Sequence, residues 1–458
     1  MKQMKFLIVM SLIFISCDDF LEVDPNSSQL DAVLIFENDN TALAALEALY
    51  YELENNGFAS GNTSSVSYLG NILADDAQEY NNANERVNFY RNDIPADSDH
   101  NFYLWSSAYK FIYEVNSLLK GILNNDDLSE RTKERIESEA KFIRAFIYYY
   151  LTHLYGNVPL VLTTDYSTNK SLARNSMEEI YTQIKQDLND AITYLPENFS
   201  YSHGERIKPT KYAAYTLLAR IALWEGQYDW AIESASQVIE SENFMLTDLD
   251  KVFKANSAEA IWQLVPTNPY NGGKEGYHYI VENNPSTAGT SASSALTEDF
   301  LSIWQNNDLR LSNWINVYSE GTDTYYYPFK YKIKNGGDTE EYSMVMRLAE
   351  LYLIRAEAYA MMGNVDQTLA DLNMIRNRAG LQNWEMSDIT DIKQMVLEER
   401  RREFFSEWGH RWLDLKRFGK IDMVLREKKP QWSPHAKLLP IPKRDLLRNP
   451  LLTQNPGY

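Results

Sequence analysis

The chain has 458 residues, 44% of them hydrophobic, and a formal charge of −20. That acidic balance argues against nucleic acid, whose binding rests on basic contacts to phosphate, and against docking on anionic lipid through a basic patch. The length exceeds the usual size of one hydrophobic core, yet no Gly/Ser-rich or Pro-rich linker divides the sequence, which points to repeats rather than separate domains.

Residues 1–16 read as a secretory signal: Lys2 and Lys5 form the basic start, Phe6 to Ile15 the apolar run, and Ser16 a small residue before the cleavage point. The run is too short to span a bilayer, which takes roughly 20 apolar residues, and the rest of the chain holds no apolar stretch that long. Cys17 is the only cysteine, so it has no disulfide partner and no sequence-local zinc partner among the six histidines. Its place explains it. Leu12 to Cys17, LIFISC, looks like a bacterial lipobox, in which the cysteine becomes the acylated first residue of the mature chain. The alternative is ordinary signal-peptidase cleavage beside a chance cysteine. Asp18 and Asp19 resemble the acidic tag of lipoproteins exported to the cell surface, so the expected site is the outer membrane, held by lipid.

Asp75 and Asp76 are adjacent, so their side chains are expected to diverge and cannot flank one glycosidic bond as acid and nucleophile. The stretch 77–103 follows, with Tyr80 and Tyr90 set among Asn81, Asn82, Asn84, Arg86 and Arg91. Trp105, Tyr109, Tyr113 and Asn116 at helical spacing read as core. A long helix over 139–155 stops at Gly156, and its aromatics Phe142, Phe146, Tyr149 and Tyr150 on a second face predict burial on two sides.

Over 210–240, Ala214, Leu218 and Ala222 recur every four residues, Gly226 breaks the helix, and Asp229 is expected to cap a second one with Ala231, Ala235, Val238 and Ile239 inward. Paired helices with small residues at the crossing match the tetratricopeptide pattern, and 347–380 repeats the sketch with Ala356, Gly363 and Leu372. Between these pairs, 265–295 is longer and more polar than an ordinary connection and carries Tyr270, Tyr277 and Tyr279. In Glu398–Phe404 (EERRREF), Glu399 and Glu403 stand at i, i+3 from Arg402 and Arg400, the pattern of a solvated ion-pair face. Trp408, Gly409, Arg411, Trp412 and Asp414 read as a packed helix junction with Arg411 paired to a carboxylate. The PIP and NPG turns near the end read as extended segments fastening the tail to the repeats.

The ordered set CDDFLEVDP (17–25), EAKFIRAFIYYYLTHLYGNVPLV (139–161), RLAELYLIRAEAYAMMGN with DLNMIRNRAGL (347–381), EERRREFFSEWGHRWLDLKRFG (398–419), and LLPIP with NPLLTQNPGY (438–458) resembles the SusD/RagB family of Bacteroidetes surface lipoproteins along essentially the whole chain. The resemblance implies an all-α fold, four tetratricopeptide-like hairpins supporting a less regular lobe. It also implies a partner, a SusC-like TonB-dependent outer-membrane transporter for which the protein is lid and capture subunit. On this reading 17–458 form one domain, with helical repeats within about 40–240 and 345–380 and a loop-rich ligand lobe including about 260–340.

The expected ligand is a glycan, because sugar rings lay apolar C–H faces on aromatic rings while Asn, Asp and Arg bond the hydroxyls. The candidate glycan-binding residues are Tyr80, Asn82, Arg86, Tyr90, Tyr270, Tyr277 and Tyr279. A peptide-binding member of the same kind of uptake system is the alternative. A glycoside hydrolase is a weaker one, since no GxSxG, HExxH, P-loop or dinucleotide fingerprint occurs. The clusters Asp97/Asp99 and Asp248/Asp250 lack the glycine and terminal glutamate of an EF-hand loop and read as caps or surface acids, so neither metal nor cofactor is expected.

Overall fold

The computed structural model describes residues 34–55, 57–59, 61–267, 273–336 and 340–458. The signal, Cys17 and Tyr270 lie outside the described residues. In chain order the elements used below are α1 (Asp39–Asn55), α2 (Val66–Leu73), β1 (Ala77–Glu79), α3 (Arg86–Arg91), α4 (Asp99–Ile122), α5 (Glu130–Tyr155), α6 (Met177–Tyr194), α7 (Lys211–Trp224), α8 (Tyr228–Ile239), β2 (Ala260–Leu264) and α9 (Lys274–Tyr279). They continue with β3 (Ser294–Leu296), α10 (Leu309–Trp314), β4 (Ile315–Glu320), β5 (Asp323–Pro328), β6 (Ser343–Arg347), α11 (Leu348–Met362), α12 (Val365–Arg378), α13 (Ile392–Phe404) and α14 (His410–Arg417).

Serines start three of the long helices by accepting an orphan N–H: Ser98 for α4, Ser129 for α5 and Ser176 for α6, the last in a reciprocal capping box with Glu179. The long helix thus begins at Glu130, before the apolar pattern does, and ends where Gly156 turns to φ 74°. From Phe142 to Tyr155 every α5 residue is buried, as two-sided packing requires. The long helices pack side by side, α4 on α5, α5 on α6, α7 on α8, α8 on α11 and α11 on α12. Gly226 and Gly363 carry the positive-φ turns inside the two predicted hairpins. Asp229, expected as a cap, instead sits inside the first turn of α8, where its charge favours the helix dipole while Gln227 holds the cap position without a side-chain bond.

The strands form three two-stranded antiparallel sheets, β1–β3, β2–β6 and β4–β5. The β2–β6 pair ties the lobe to the helices. Trp262 of β2 lies edge-on to Phe142 and Phe146 of α5, both at 5.2 Å between ring centroids, and β6 runs straight into α11. Trp105 and Asn116 are buried as expected and Tyr109 partly so, whereas Tyr113 is 52% exposed.

The charged face of α13 departs from the sequence reading. Glu399, Arg400, Arg401, Arg402 and Glu403 are all buried. The i, i+3 contact Arg402–Glu399 exists at 3.6 Å, but Glu403 turns to Arg347 at 2.5 Å, Arg310 at 3.0 Å and Arg378, drawn from β6, α10 and α12. Asp75 and Asp76 also differ from expectation. They converge, because Arg401 takes both, at 2.9 and 2.7 Å, while Arg411 takes Asp75 at 2.7 Å. Those guanidiniums hold Asp75 well below the usual carboxylate range. Burial pushes Asp76 the other way, up against the pull of Arg401, and both side chains are closed off from solvent.

The helix junction forms as read. A Cβ on Gly70 of α2 would stand 2.6 Å from the Gly409 Cα, and Gly409 itself has φ +65°, so both positions need glycine. The tail closes the scaffold: Leu439 N–H donates to Leu154 O at 2.8 Å, and the Asn455 amide donates to Tyr155 O at 3.0 Å and Leu439 O at 2.7 Å.

Candidate functional site

A cleft of about 230 Å³ opens where α1 ends, between the 61–65 segment, the segment after β2 and helix α9. Its lining comprises Glu54 and Asn55 from α1, Asn62 from the 61–65 segment, Pro266 and Thr267 after β2, and Lys274, Tyr277 and His278 from α9. Short polar links fix these segments. The Asn62 carboxamide oxygen accepts from Ser64 N–H at 2.8 Å, Ser64 Oγ meets His100 Nδ1 at 2.7 Å, and the Thr267 hydroxyl donates to Asn55 Oδ1 at 2.7 Å. Helix α9 is seated by Gly276, where a Cβ would fall 2.0 Å from Ile333 O.

The Lys274 ammonium donates to the main-chain oxygen of Glu54 at 2.6 Å. Both Glu54 carboxylate oxygens lack a hydrogen-bond partner among the described residues, and burial, then Glu275, push its carboxyl well above the ordinary range against the pull of Lys274. Glu275 is buried behind α9, one oxygen accepting from the Ser343 hydroxyl and the other without a partner, and burial raises it too. Burial pushes His278 down to about 4, so at neutral pH its ring is uncharged, with Nδ1 3.2 Å from Ser291 O. Tyr277 is 36% exposed and edge-on to His278 at 5.0 Å. The cleft therefore offers an aromatic ring, two carboxamides, a hydroxyl and an ammonium. Among the described residues no three His, Cys, Asp or Glu are grouped to hold a metal ion.

Of the residues expected from sequence, Tyr277 lines this cleft. Tyr279 does not: its ring stacks on Tyr68 at 5.7 Å and 9°, and it is 3% exposed. Arg86 is also turned inward, bonded to Glu79 at 3.3 Å and Ser293 at 2.8 Å with its guanidinium over the Tyr68 ring. The two predicted aromatic stretches thus meet at Tyr68, inside the core. Tyr80 is half-buried and edge-on to Tyr325 of β5 at 5.1 Å. Asn82 is exposed and accepts from Arg91 at 3.2 Å, and Tyr90 is half-buried with the Lys429 ammonium 4.9 Å from its ring centre. Glu54, Asn55 and Asn62 escaped the sequence reading, since a helix end followed by a glycine-containing loop looks like any helix stop. Pro266, Thr267, Lys274 and His278 fell inside the polar stretch without being singled out.

Residues 19–223 match the family model described as SusD-like, starch-binding associating with outer membrane, and residues 302–436 match the SusD family model. The SusD-like protein P25 of Formosa agariphila is 25% identical over all of both chains. A SusD superfamily protein of Bacteroides vulgatus superposes with a TM-score of 0.78 at 22% identity, covering 92% of this chain and 100% of that one. A laminarin-binding SusD-like protein does so with a TM-score of 0.76 at 24% identity, again over 92% and 100%. These two likenesses carry the all-α fold. No helix among the described residues is long and apolar enough to cross a membrane. Matched by family models over 19–223 and 302–436 and by a full-length relative, the chain belongs to the SusD/RagB family.

Proposed function

We propose that the protein is a non-catalytic glycan-binding lipoprotein of the cell surface, anchored in the outer membrane by acylated Cys17, that captures a poly- or oligosaccharide and delivers it to a SusC-like TonB-dependent transporter. The observation that carries the reading is the cleft: a half-exposed Tyr277 beside carboxamides, a hydroxyl and an ammonium, in a member of a family described as starch-binding. The laminarin-binding relative makes β-glucan a natural first ligand to try alongside starch. The buried, ion-paired state of Asp75 and Asp76 supports binding without cleavage.

Affinity electrophoresis of the mature protein through gels containing starch, laminarin and other polysaccharides tests this. Retention by one polysaccharide, lost in Tyr277→Ala, with no reducing sugar released, is expected. Absence of retention across the panel together with capture of peptides would move the ligand to the peptide class, and release of reducing sugar would make the protein a hydrolase.

A further inference from the structure

The cleft is small for the ligand proposed for it. Its volume of about 230 Å³ falls below the roughly 300–1,000 Å³ that enclose a drug-sized molecule, so an oligosaccharide seated on Tyr277 has to run out over the rim. Tyr103 of α4 stands at that rim, tied to the lining at two points. Three residues before it, His100 Nδ1 meets Ser64 Oγ at 2.7 Å, and Ser64 N–H donates to the lining residue Asn62. Its own ring lies on Gly57, where a Cβ would fall 2.0 Å from Cε1 and 2.8 Å from Cδ1 and Cζ. Gly57 follows the lining residue Asn55 by two positions, and two trans peptide units separate Cα atoms by at most about 7.6 Å. A single exposed aromatic is ordinary on a protein surface. This one is backed: three atoms of its ring rest on bare main chain, yet the side chain stays 39% exposed, as open as Tyr277. Gly57 is needed twice over, by that ring and by its φ of +84°.

We infer that Tyr103 is a second stacking platform, outside the cleft, which receives the sugar units that follow the one held at Tyr277 and so makes the protein select long chains over short ones. The inference rests on the proposed glycan-binding reading. A ring already fixed against main chain gives up little freedom when a sugar's C–H face settles on it, so the contact is gained at low entropic cost. The division of labour follows from the geometry. The cleft, with its carboxamides, hydroxyl and ammonium, reads the hydroxyls of the first unit, while Tyr103 offers an apolar face and counts how much chain follows.

The test uses the full mature protein and calorimetric titration with a disaccharide and a hexasaccharide of one series, laminari- or malto-oligosaccharides according to the polysaccharide retained. The wild type should bind the hexasaccharide more tightly. Tyr103→Ala should weaken the hexasaccharide about fivefold, the worth of one stacked ring, and leave the disaccharide within about twofold, whereas Tyr277→Ala should weaken both. A Tyr103→Ala variant that binds the hexasaccharide as the wild type does, or that loses both probes equally while keeping a wild-type melting curve, would overturn the inference and leave glycan binding intact. If Tyr103→Ala melts abnormally, the wild type decides. Tetranitromethane nitrates exposed tyrosines, and peptide mapping reads which are shielded by ligand. Shielding of Tyr103 by the hexasaccharide and not by the disaccharide supports the platform, while no shielding by the hexasaccharide, or equal shielding by both, contradicts it. Failure of every polysaccharide and oligosaccharide to bind would instead remove the reading beneath it.

Discussion

Two tyrosines of one six-residue helix, Tyr277 and Tyr279, do opposite work. Two positions on a helix are about 200° apart, so when Tyr277 faces the cleft Tyr279 must face the core. Tyr279→Ala should therefore cost about 3–5 kcal/mol, in the range of large-to-small aromatic deletions, and lower the melting temperature. Tyr277→Ala should stay within about 0.5 kcal/mol of wild-type stability while weakening retention in the glycan gel. The pair of melting curves separates platform from anchor. Composition drew attention to the aromatics of this stretch but could not orient them, because a helix this short, inside a polar segment, leaves no periodicity to count. Arg86 shows the same limit: an arginine among asparagines reads as a sugar contact until Glu79 and Ser293 arrive from β1 and the segment before β3 to claim it.

Among the elements, the long buried helix and the two hairpins were legible, since small residues every four positions and a glycine at each turn describe local structure. Helix α13 was not, because the same glutamate and arginine spacing suits a solvated face and a buried one. What decides is which partners other elements bring, and here β6, α10 and α12 bring Arg347, Arg310 and Arg378 onto Glu403. These guanidiniums hold the Glu403 carboxyl well below its ordinary range despite burial. Glu403→Ala leaves three buried cations short of an anion and should destabilise by about 3–5 kcal/mol, seen as a lowered denaturant midpoint with an unchanged slope. A loss below about 1 kcal/mol would return α13 to the solvated reading.

Across the whole molecule, pH acts through buried histidine. His410 faces Glu350, Arg220, Arg400 and Asp414, and burial pushes it down to about 4 from the ordinary 6.5. The unfolded chain then takes up the proton first, so this stabilisation is complete above about pH 6.5 and drains away as pH falls toward 4, at up to about 1.4 kcal/mol per unit. Raised acids such as Glu54 and Glu139 work in the opposite sense, so the informative quantity is a difference. His410→Gln should gain on the wild type as pH falls through that window, and parallel melting curves would contradict the assignment. At the other end of the chain, Cys17→Ser should leave the protein folded but shift it from the membrane fraction to a soluble or uncleaved form. Unchanged partition with a free thiol would rule out the anchor.

The closure of the tail sets an order of events. Arrays of helical pairs can ordinarily grow from one end, each pair resting on the last. Here the final carbonyls of α5, Leu154 and Tyr155, are satisfied by Leu439 and Asn455, and Gly70 of α2 is fitted against Gly409. Tyr155 O can also take Arg174 at 3.2 Å, but Leu154 O waits for Leu439 and Gly70 for Gly409, so this end of the first half is completed only when the later residues have arrived. Contacts this remote in sequence form late and slowly. A chain exported from its N-terminus would accordingly remain loose while it is threaded, and would become rigid only after its C-terminus has followed.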